Sequence, residues 1–256
     1  MVKVGFIVNP IAGMGGRVGL KGTDGVLEEA LRRGATPVAP KRAREFLRAL
    51  RELDVDAFFL AVSSPMGSEL LEKEGFDYKV VLNVTSRTTA EDTKKAARIM
   101  SSQVDILVFV GGDGTARDVL DVVDQKIPVI GVPAGVKMYS SVFGVNPRAC
   151  AYLLKCFIEK RCGLKLAEVM DVDEEAFRRG VLSIKLYGYM VTPYEKGIRQ
   201  ESKSIIVSEE EIENKKAIAK YFVENLNGDE ILILGPGSTV KAIADELGID
   251  KTLLGI

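Results

Sequence analysis

Short, nearly continuous runs of Val, Ile and Leu alternate with amphipathic stretches through the first 160 residues of the chain. Strands that are apolar on both faces are typical of a parallel sheet covered by helices on both sides. The pattern therefore predicts an α/β fold with a Rossmann-like parallel sheet in an N-terminal domain. The predicted strands are Val2–Val8, Val55–Val62, Tyr78–Leu82, Val104–Val110 and Ile127–Val132.

Helical spacing predicts most of the segments between these strands. Asp24 is a candidate N-cap for a helix over Gly25–Arg33, and Thr88 with Glu91 has the spacing of a capping box. The other predicted helices are Ala43–Leu53, the capping-box helix that runs to Met100, a helix from the glycine-rich turn at 111–115 to Val123, and a helix from Asn146 to Arg161.

The pattern changes after residue 160. Leu164–Val172 and Val181–Val191 resemble longer strands with partial alternation, which predicts a β-rich second domain over 161–256 after the α/β domain over 1–160. A helix from Ser208 to Glu224 and a buried strand over Glu230–Leu234 then return to the first pattern, and another helix follows. Because Thr252–Ile256 resembles the start of another strand, we expect that the chain is truncated.

Histidine is absent, and 35 Lys and Arg balance 36 Asp and Glu to a net charge of −1. Without histidine, a general base must be a carboxylate, a lysine or a tyrosine. The balanced charge gives no basic excess that would attract nucleic acid or an anionic membrane, and the apolar runs are too short to span a bilayer. We expect a cytoplasmic homo-oligomer that binds neither nucleic acid nor a membrane.

Cys150, Cys156 and Cys162 are the only cysteines. Three cysteines without histidine cannot complete a tetrahedral zinc site, and a spacing of six does not align them on one helix face. We therefore interpret them as small buried hydrophobic residues in a reducing compartment.

Eleven of the 25 glycines lie in three clusters. Six lie within Gly13–Gly25, three within Gly111–Gly114, and two flank Pro236. Each cluster follows a predicted strand and precedes a predicted helix, where glycine lets backbone N–H groups converge on an anion beside a helix N-terminus. Such turns at the carboxyl ends of strands favour a phosphorylated or nucleotide ligand. The first cluster matches neither the Walker A spacing nor the dinucleotide fingerprint, which disfavours P-loop NTPases and Rossmann dehydrogenases.

Asp113, in the middle of Gly111–Thr115, is the candidate catalytic residue. Its carboxylate can accept the proton of an attacking hydroxyl, ligate Mg²⁺, or both, and a plain Asp-Gly turn is the structural alternative. No residue besides Asp113 is identified as a candidate ligand of the metal. For Lys137, the alternative to phosphate binding is an ordinary surface lysine, and for Ser238 and Thr239 it is a role as helix caps. Tyr187 and Tyr189 are better explained by core packing than by base stacking. The candidate phosphate-binding residues are Asn9, Gly15, Gly16, Arg17, Lys21, Gly111, Gly112, Gly114, Thr115, Lys137, Gly237, Ser238 and Thr239.

A strand followed by Gly-Gly-Asp-Gly-Thr and a helix resembles the superfamily of NAD kinases and diacylglycerol kinases, with 6-phosphofructokinases as more distant relatives. The segments Asn9–Gly25, Pro133–Ser140 and Gly235–Thr239 resemble a predicted ATP-NAD kinase branch of archaea and bacteria that includes the acetoin-catabolism X protein. The resemblance covers nearly the whole chain. It implies an NAD kinase-like fold, glycines that cradle the phosphates of ATP, and a catalytic role for Asp113.

The resemblance further implies a kinase that uses Mg²⁺ and ATP, or polyphosphate, to phosphorylate the 2′-hydroxyl of NAD and form NADP. The acceptor stays open, because the contiguous Thr-Pro-Thr-Gly-Ser-Thr-Ala-Tyr segment of well-studied NAD kinases and the Gly-Thr-Gly-Asn-Asp segment of lipid kinases are both missing from the sequence. Two alternatives remain: a kinase of another small hydroxylated metabolite with the same ATP site, and a nucleotide-binding regulator without chemistry.

Overall fold

The computed structural model describes residues 1–18, 27–135, 138–172, 183–195, 209–226 and 231–252. Its main sheet has five parallel strands in the order β3-β2-β1-β4-β5, which confirms the predicted α/β class. The chain moves outward from β1 to β3 and then returns to the other side of β1, so the strand order reverses between β1 and β4. The strands are β1 (Val2–Val8), β2 (Ala57–Val62), β3 (Tyr78–Leu82), β4 (Ile106–Gly111) and β5 (Val129–Pro133).

Helices cover both faces of this sheet. The helices of its unit are α1 (Leu27–Arg32), α2 (Ala39–Glu52), α3 (Ser68–Glu74), α4 (Ala90–Met100), α5 (Asp113–Val123) and α6 (Pro147–Ile158). Alternate residues of each strand point to opposite faces, so Phe6 packs with α2, α3 and α6, whereas Ile7 packs with α4 and α5. Both side chains are fully buried, as expected for a parallel sheet between two helical layers.

Three helix predictions need correction. α2 begins at Ala39, four residues earlier than predicted, because Pro40 fits the first turn of a helix. α4 is capped one residue later than predicted: Asp92 accepts the N–H of Thr89, and Thr89 and Asp92 form the capping box. The sequence analysis missed α3, a helix of only 7 residues that ends at Gly75 in the left-handed conformation.

Beyond α6, β6 (Gly163–Val172) and β7 (Ile184–Tyr194) form a two-stranded antiparallel sheet. A separate compact unit contains α7 (Glu209–Glu224) and α8 (Ser238–Glu246), which pack against each other. The predicted capping residue Ser208 lies outside the described residues, as does Asp24 near α1.

The predicted buried strand over Glu230–Leu234 is wrong for its described part. Residues 231–235 adopt no strand, and Ile231 and Ile233 are 94% and 83% exposed. The Ile-Leu-Ile-Leu run has a high propensity for β structure, but a strand also needs a neighbour that accepts and donates its backbone hydrogen bonds. Within the described ranges, this segment pairs with no strand.

The three cysteines, all described, form no disulfide. Cys150 and Cys156 are buried and Cys162 is half-buried, which fits their predicted role in packing. Cys156 donates a hydrogen bond to Glu195 at 3.1 Å, and burial raises the pKa of its thiol to about 11. Across the described part of the chain, the model has no helix that combines the length and apolar character needed to cross a membrane.

Candidate functional site

The Gly111–Thr115 turn connects the carboxyl end of β4 to the first residues of α5. β4 ends at Gly111, Gly112 is the extended N-cap residue, and α5 begins at Asp113. Gly112 and Gly114 are partly exposed, and no atom lies within 4 Å of the position that a Cβ of Gly112 would occupy. The backbone at the N-terminus of α5 is therefore accessible from solvent, where the helix dipole favours an anion.

Asp113 turns its side chain away from its own helix towards the chain after β5. Its Oδ2 accepts the backbone N–H of Tyr139 and its Oδ1 accepts that of Ser140, both at 2.9 Å. The residue is 8% exposed. A carboxylate held in this way has a fixed orientation at the edge of the sheet.

Burial is the main cause of an altered pKa at Asp113. It raises the pKa of this carboxyl to about 6, the hydrogen bonds from Ser140 and Tyr139 oppose the rise, and the charge of Asp171 adds to it. Burial likewise raises the pKa of the Tyr139 phenol to about 12, with Asp113 and Asp171 contributing. A carboxylate that titrates close to neutral pH is suited to accept a proton and later release it.

Asn9 connects the loop after β1 to the Gly111–Thr115 turn. Its backbone N–H donates to Val110 at 3.0 Å, and its Nδ2 donates to the Oγ1 of Thr115 at 2.9 Å. Its Oδ1 accepts the N–H of Ile11 at 3.3 Å. The carboxamide oxygen and one of its N–H groups therefore bond within the protein and support the turn, and the phosphate contact of Asn9 stays a prediction.

The loop after β5 is packed against the same two segments. Ala134 donates its backbone N–H to Gly111 at 2.9 Å. Gly13 has a φ of 81°, and a Cβ at this residue would collide with the carbonyl oxygen of Ala134. Glycine is therefore required here both for the left-handed backbone and for the close approach. Loops from β1, β4 and β5 thus meet at the edge where the strand order reverses, where open α/β sheets bind ligands.

A charged cluster lies beside this edge. Arg117, one helical turn after Asp113, donates to the Oδ2 of Asp171 at 3.1 Å, and its guanidinium lies 4.2 Å from the ring centre of Tyr187. Neither Arg117 nor Asp171 was among the residues predicted for the site, and the structure makes both of them candidates. The sequence offered one signal for this pair, which is the position of Asp171 near the end of the predicted strand over 164–172. An acidic side chain is rarely buried without a partner, so a buried aspartate there indicates a nearby cation. Tyr187 is half-buried and Tyr189 is exposed, so core packing explains at most Tyr187.

The structure brings Asn9, Gly111, Gly112, Asp113, Gly114 and Thr115 together. The other predicted residues lie in a 3₁₀ turn, in the separate compact unit or outside the described residues. Gly15 is buried in a 3₁₀ turn over Gly15–Val18 that also contains Gly16 and Arg17. Lys21 and Lys137 lie outside the described residues, as does the side chain of Arg17. Gly237 precedes α8, and Ser238 and Thr239 are its first two residues, in the separate compact unit.

No His, Cys, Asp or Glu group of three or more that could hold a metal ion is found among the residues that the model describes. A Mg²⁺ site made entirely of protein ligands is not expected for phosphoryl transfer, because Mg²⁺ typically binds substrate phosphates with one or two carboxylates and keeps several waters. Asp113 and Asp171, which interact electrostatically, are two carboxylates at this edge.

Two structures named as diacylglycerol kinases of Bacillus anthracis str. Sterne are similar to this chain. One has 18% sequence identity and a TM-score of 0.34, and the match spans 67% of this chain and 45% of the chain in that structure. The other has 17% identity and a TM-score of 0.32, and the match spans 67% of this chain and 43% of the chain in that structure. The chain thus spans less than half the length of these structures. The comparison with curated proteins finds no match.

The family model described as the ATP-NAD kinase N-terminal domain matches residues 4–162. The match covers the five-stranded sheet except for the first two residues of β1. It also covers the Gly111–Thr115 turn and the loops that support it, and it extends over more than half of the 256 residues. On this evidence, the chain belongs to the ATP-NAD kinase N-terminal domain family.

Proposed function

We propose that the protein is a Mg²⁺-dependent kinase that transfers a phosphoryl group from ATP, or from polyphosphate, to the 2′-hydroxyl of NAD. The observation that carries this proposal is the buried Asp113 carboxylate beside the accessible backbone of Gly112 and Gly114, at the point where the strand order reverses. The family description, which names ATP and NAD, supports the choice of donor and acceptor.

The proposed chemistry is an in-line displacement at the γ-phosphorus of the donor. The 2′-oxygen of NAD attacks phosphorus, a new O–P bond forms, and the bond to the β,γ-bridging oxygen breaks, so that ADP leaves. The hydroxyl proton passes to Asp113, whose carboxylate is mostly ionised at neutral pH because its pKa is about 6. The catalytic benefit comes mainly from positioning and charge stabilisation, with Asp113 as the proton acceptor.

The donor phosphates are proposed to lie against the Gly112–Gly114 backbone at the N-terminus of α5. α5 has 11 residues, and its N-terminus carries partial positive charge. Mg²⁺ supplies further neutralisation of the phosphate charge, and Asp113 or Asp171 would contribute a ligand to it. Arg17, Lys21 and Lys137 remain candidates for balancing the phosphate charge, and Gly237, Ser238 and Thr239 remain candidates for a second contact with the ligand.

The decisive test is product formation by the purified full chain. Incubation with NAD and ATP·Mg²⁺ should produce NADP and ADP in equal amounts, measured by liquid chromatography and mass spectrometry. Asp121→Asn is the matched control for Asp113→Asn in this assay. Asp121 also lies on α5, but its side chain is exposed and pairs with Lys94 at 2.6 Å. Formation of ADP with a different phosphorylated acceptor in a metabolite panel would reject NAD and retain the kinase.

Saturable binding of ATP or NAD without any product that depends on Asp113 would instead identify a nucleotide-binding regulator. Polyphosphate is tested in place of ATP in the same assay. If NADP forms with polyphosphate and not with ATP, the donor is polyphosphate and the acceptor is still NAD.

A further inference from the structure

The side chain of Arg117 is held in place by two strands outside the parallel sheet. Arg117 lies on α5, one helical turn after Asp113, and its Nη1 donates to the Oδ2 of Asp171 on β6 at 3.1 Å. Its guanidinium also lies 4.2 Å from the ring centre of Tyr187 on β7. These four residues belong to one compact unit, so their arrangement is defined relative to the Gly111–Thr115 turn.

Close packing of α5 against β7 supports this arrangement. A Cβ at Gly188 on β7 would lie 3.1 Å from Cδ2 of Leu120, which follows Arg117 by about one turn of α5. A planar guanidinium that lies over an aromatic ring and pairs with a carboxylate has few orientations open to it. The Arg117 guanidinium is therefore preorganised before any ligand binds.

The Arg117 guanidinium also has hydrogen-bonding capacity beyond its contact with Asp171. A guanidinium carries five N–H donors in a planar fork. Within the described part of the chain it makes one hydrogen bond, and the side chain is 35% exposed. Burial lowers the pKa of this guanidinium, but the hydrogen bond to Asp171 and nearby charges outweigh burial and raise it above its usual value. A fixed, charged fork that solvent reaches matches the geometry of a phosphate group.

The position of Arg117 along α5 indicates which substrate it contacts. The donor phosphates are proposed to lie against Gly112–Gly114 at the N-terminus of α5, and the hydroxyl of the acceptor to lie at Asp113. Arg117 is four residues beyond Asp113, which is about 6 Å farther along the helix axis. An acceptor with its hydroxyl at Asp113 and a phosphate group close to that hydroxyl is therefore within reach of Arg117.

We propose that Arg117 is a specificity-determining residue whose guanidinium binds a phosphate group of the acceptor, with Asp171 and Tyr187 as the positioning residues that hold it. The identity of the acceptor rests on the proposed function, and for NAD the bound group is the diphosphate. Such a contact favours acceptors that carry phosphate over uncharged hydroxylated compounds.

The first measurement is the Kd of NAD for the full chain, by titration calorimetry without Mg²⁺. Hydrogen bonds to a charged group contribute about 1.5–3 kcal/mol, so Arg117→Gln should bind NAD about 10- to 100-fold more weakly than the wild type. Arg48→Gln is the matched control. Arg48 also forms an ion pair, with Glu74 at 3.2 Å, but it lies on α2 at the opposite face of the sheet, and its variant should bind like the wild type.

Adenosine separates phosphate binding from a purely structural role of Arg117. It has the same base and 2′-hydroxyl as the adenosine half of NAD but no phosphate, so its Kd should be the same in Arg117→Gln and the wild type. In the NADP assay, the KM for NAD should rise about tenfold or more, with kcat less affected and the KM for ATP·Mg²⁺ unchanged. Equal losses for NAD and adenosine would overturn the proposal, and a loss confined to ATP would overturn the assignment to the acceptor.

A second design covers the case in which Arg117→Gln does not fold because the Asp171 carboxylate has lost its cation. Arg117→Gln is then combined with Asp171→Asn, which removes both charges, and the double variant is compared with Asp171→Asn alone. The double variant should bind NAD about tenfold more weakly or worse. Equal affinities would overturn the proposal.

The outcomes also separate this inference from the proposed function. NADP formation with an unchanged KM for NAD in Arg117→Gln would overturn the role of Arg117 and leave the kinase intact. If the wild type forms no NADP, inorganic pyrophosphate replaces NAD in the calorimetry. Weaker binding of pyrophosphate by Arg117→Gln would then support the phosphate contact while rejecting NAD as the acceptor. Equal binding, or no binding by the wild type, would overturn both.

Discussion

Two glycine-rich turns of this protein precede a helix and were predicted to bind phosphate, and their surroundings in the structure differ. Gly111–Thr115 follows a buried strand, and Asn9, Ala134 and the amides of residues 139–140 surround it. The turn at Gly235–Thr239 also opens a helix, α8, but it follows a segment that forms no strand and whose isoleucines are exposed. The local sequence thus determines the turn and the helix start, whereas preorganisation of a site needs neighbouring strands.

The largest expected difference between the two turns is in turnover. Asp113→Asn removes the proposed proton acceptor, so kcat should fall about 10²- to 10⁴-fold, the usual range for the loss of general base catalysis. Ser238→Ala in the second turn should have a much smaller effect, because the N-cap of α8 is Gly237 and no side-chain capping bond is lost. NADP formation under saturating substrates measures both. An equal loss in the two variants would remove the distinction between the turns.

The second difference is in the pH dependence of stability, because only the first turn contains a buried carboxyl group. The pKa of Asp113 rises from 3.8 to about 6 on folding, so the native state binds the proton more tightly than the unfolded chain. The resulting stabilisation is complete below about pH 4 and is lost as the pH rises through 6. Relative to Asp113→Asn, the free energy of unfolding of the wild type should therefore fall by up to about 3 kcal/mol over this range.

Urea unfolding of the wild type and Asp113→Asn at several pH values between 4 and 7 measures this difference. Titration of the other carboxyl groups largely cancels between the two proteins. A wild type that gains stability relative to the variant as the pH rises would mean that the hydrogen bonds from residues 139–140 outweigh burial, and that the pKa of Asp113 is lowered.

The third difference concerns steric tolerance. A Cβ at Gly111 would collide with the side chain of Thr115, which is buried, whereas no atom lies within 4 Å of the Cβ position at Gly235. Gly111→Ala should reduce the free energy of unfolding by about 1–3 kcal/mol, and Gly235→Ala should leave it unchanged or raise it slightly. Thermal and urea unfolding test the pair. Equal tolerance would mean that the Gly111–Thr115 turn can relax without cost.

The same contrast shows what the sequence could predict. The limits of β1 and β3 agree with the prediction, because their apolar runs have one structural solution in a sheet covered on both faces. The position of Gly111–Thr115 at the sheet edge followed from its place between a strand and a helix. In contrast, Ile231–Leu234 has an equally apolar sequence but is not a strand, since pairing depends on a distant partner that no local pattern specifies.

The site itself was predictable only where it is local. Asp113 and its glycines were identified from five consecutive residues. The partners of Asp113 were not identified, because Tyr139 and Ser140 meet it through backbone amides, which every residue type except proline carries. Asn9 was predicted to bind phosphate from the resemblance of Asn9–Gly25 to the ATP-NAD kinase branch, and that contact stays a prediction. The structure adds that its carboxamide connects two loops. The local pattern identified the residue and could not assign its partner.

The smallest expected difference concerns this Asn9–Thr115 connection. The hydrogen bond from Asn9 Nδ2 to Thr115 Oγ1 is 2.9 Å long and partly buried, so Asn9→Ala should cost about 1 kcal/mol in the free energy of unfolding. A double-mutant cycle with Thr115→Val isolates the pair, and we expect a coupling of about 0.5–1.5 kcal/mol. Ser238→Ala is the comparison in the second turn and should stay within about 0.5 kcal/mol of the wild type. A coupling near zero would mean that the loops from β1 and β4 are held by their backbones alone. Asn9 would then be available for the phosphate contact that the sequence first predicted.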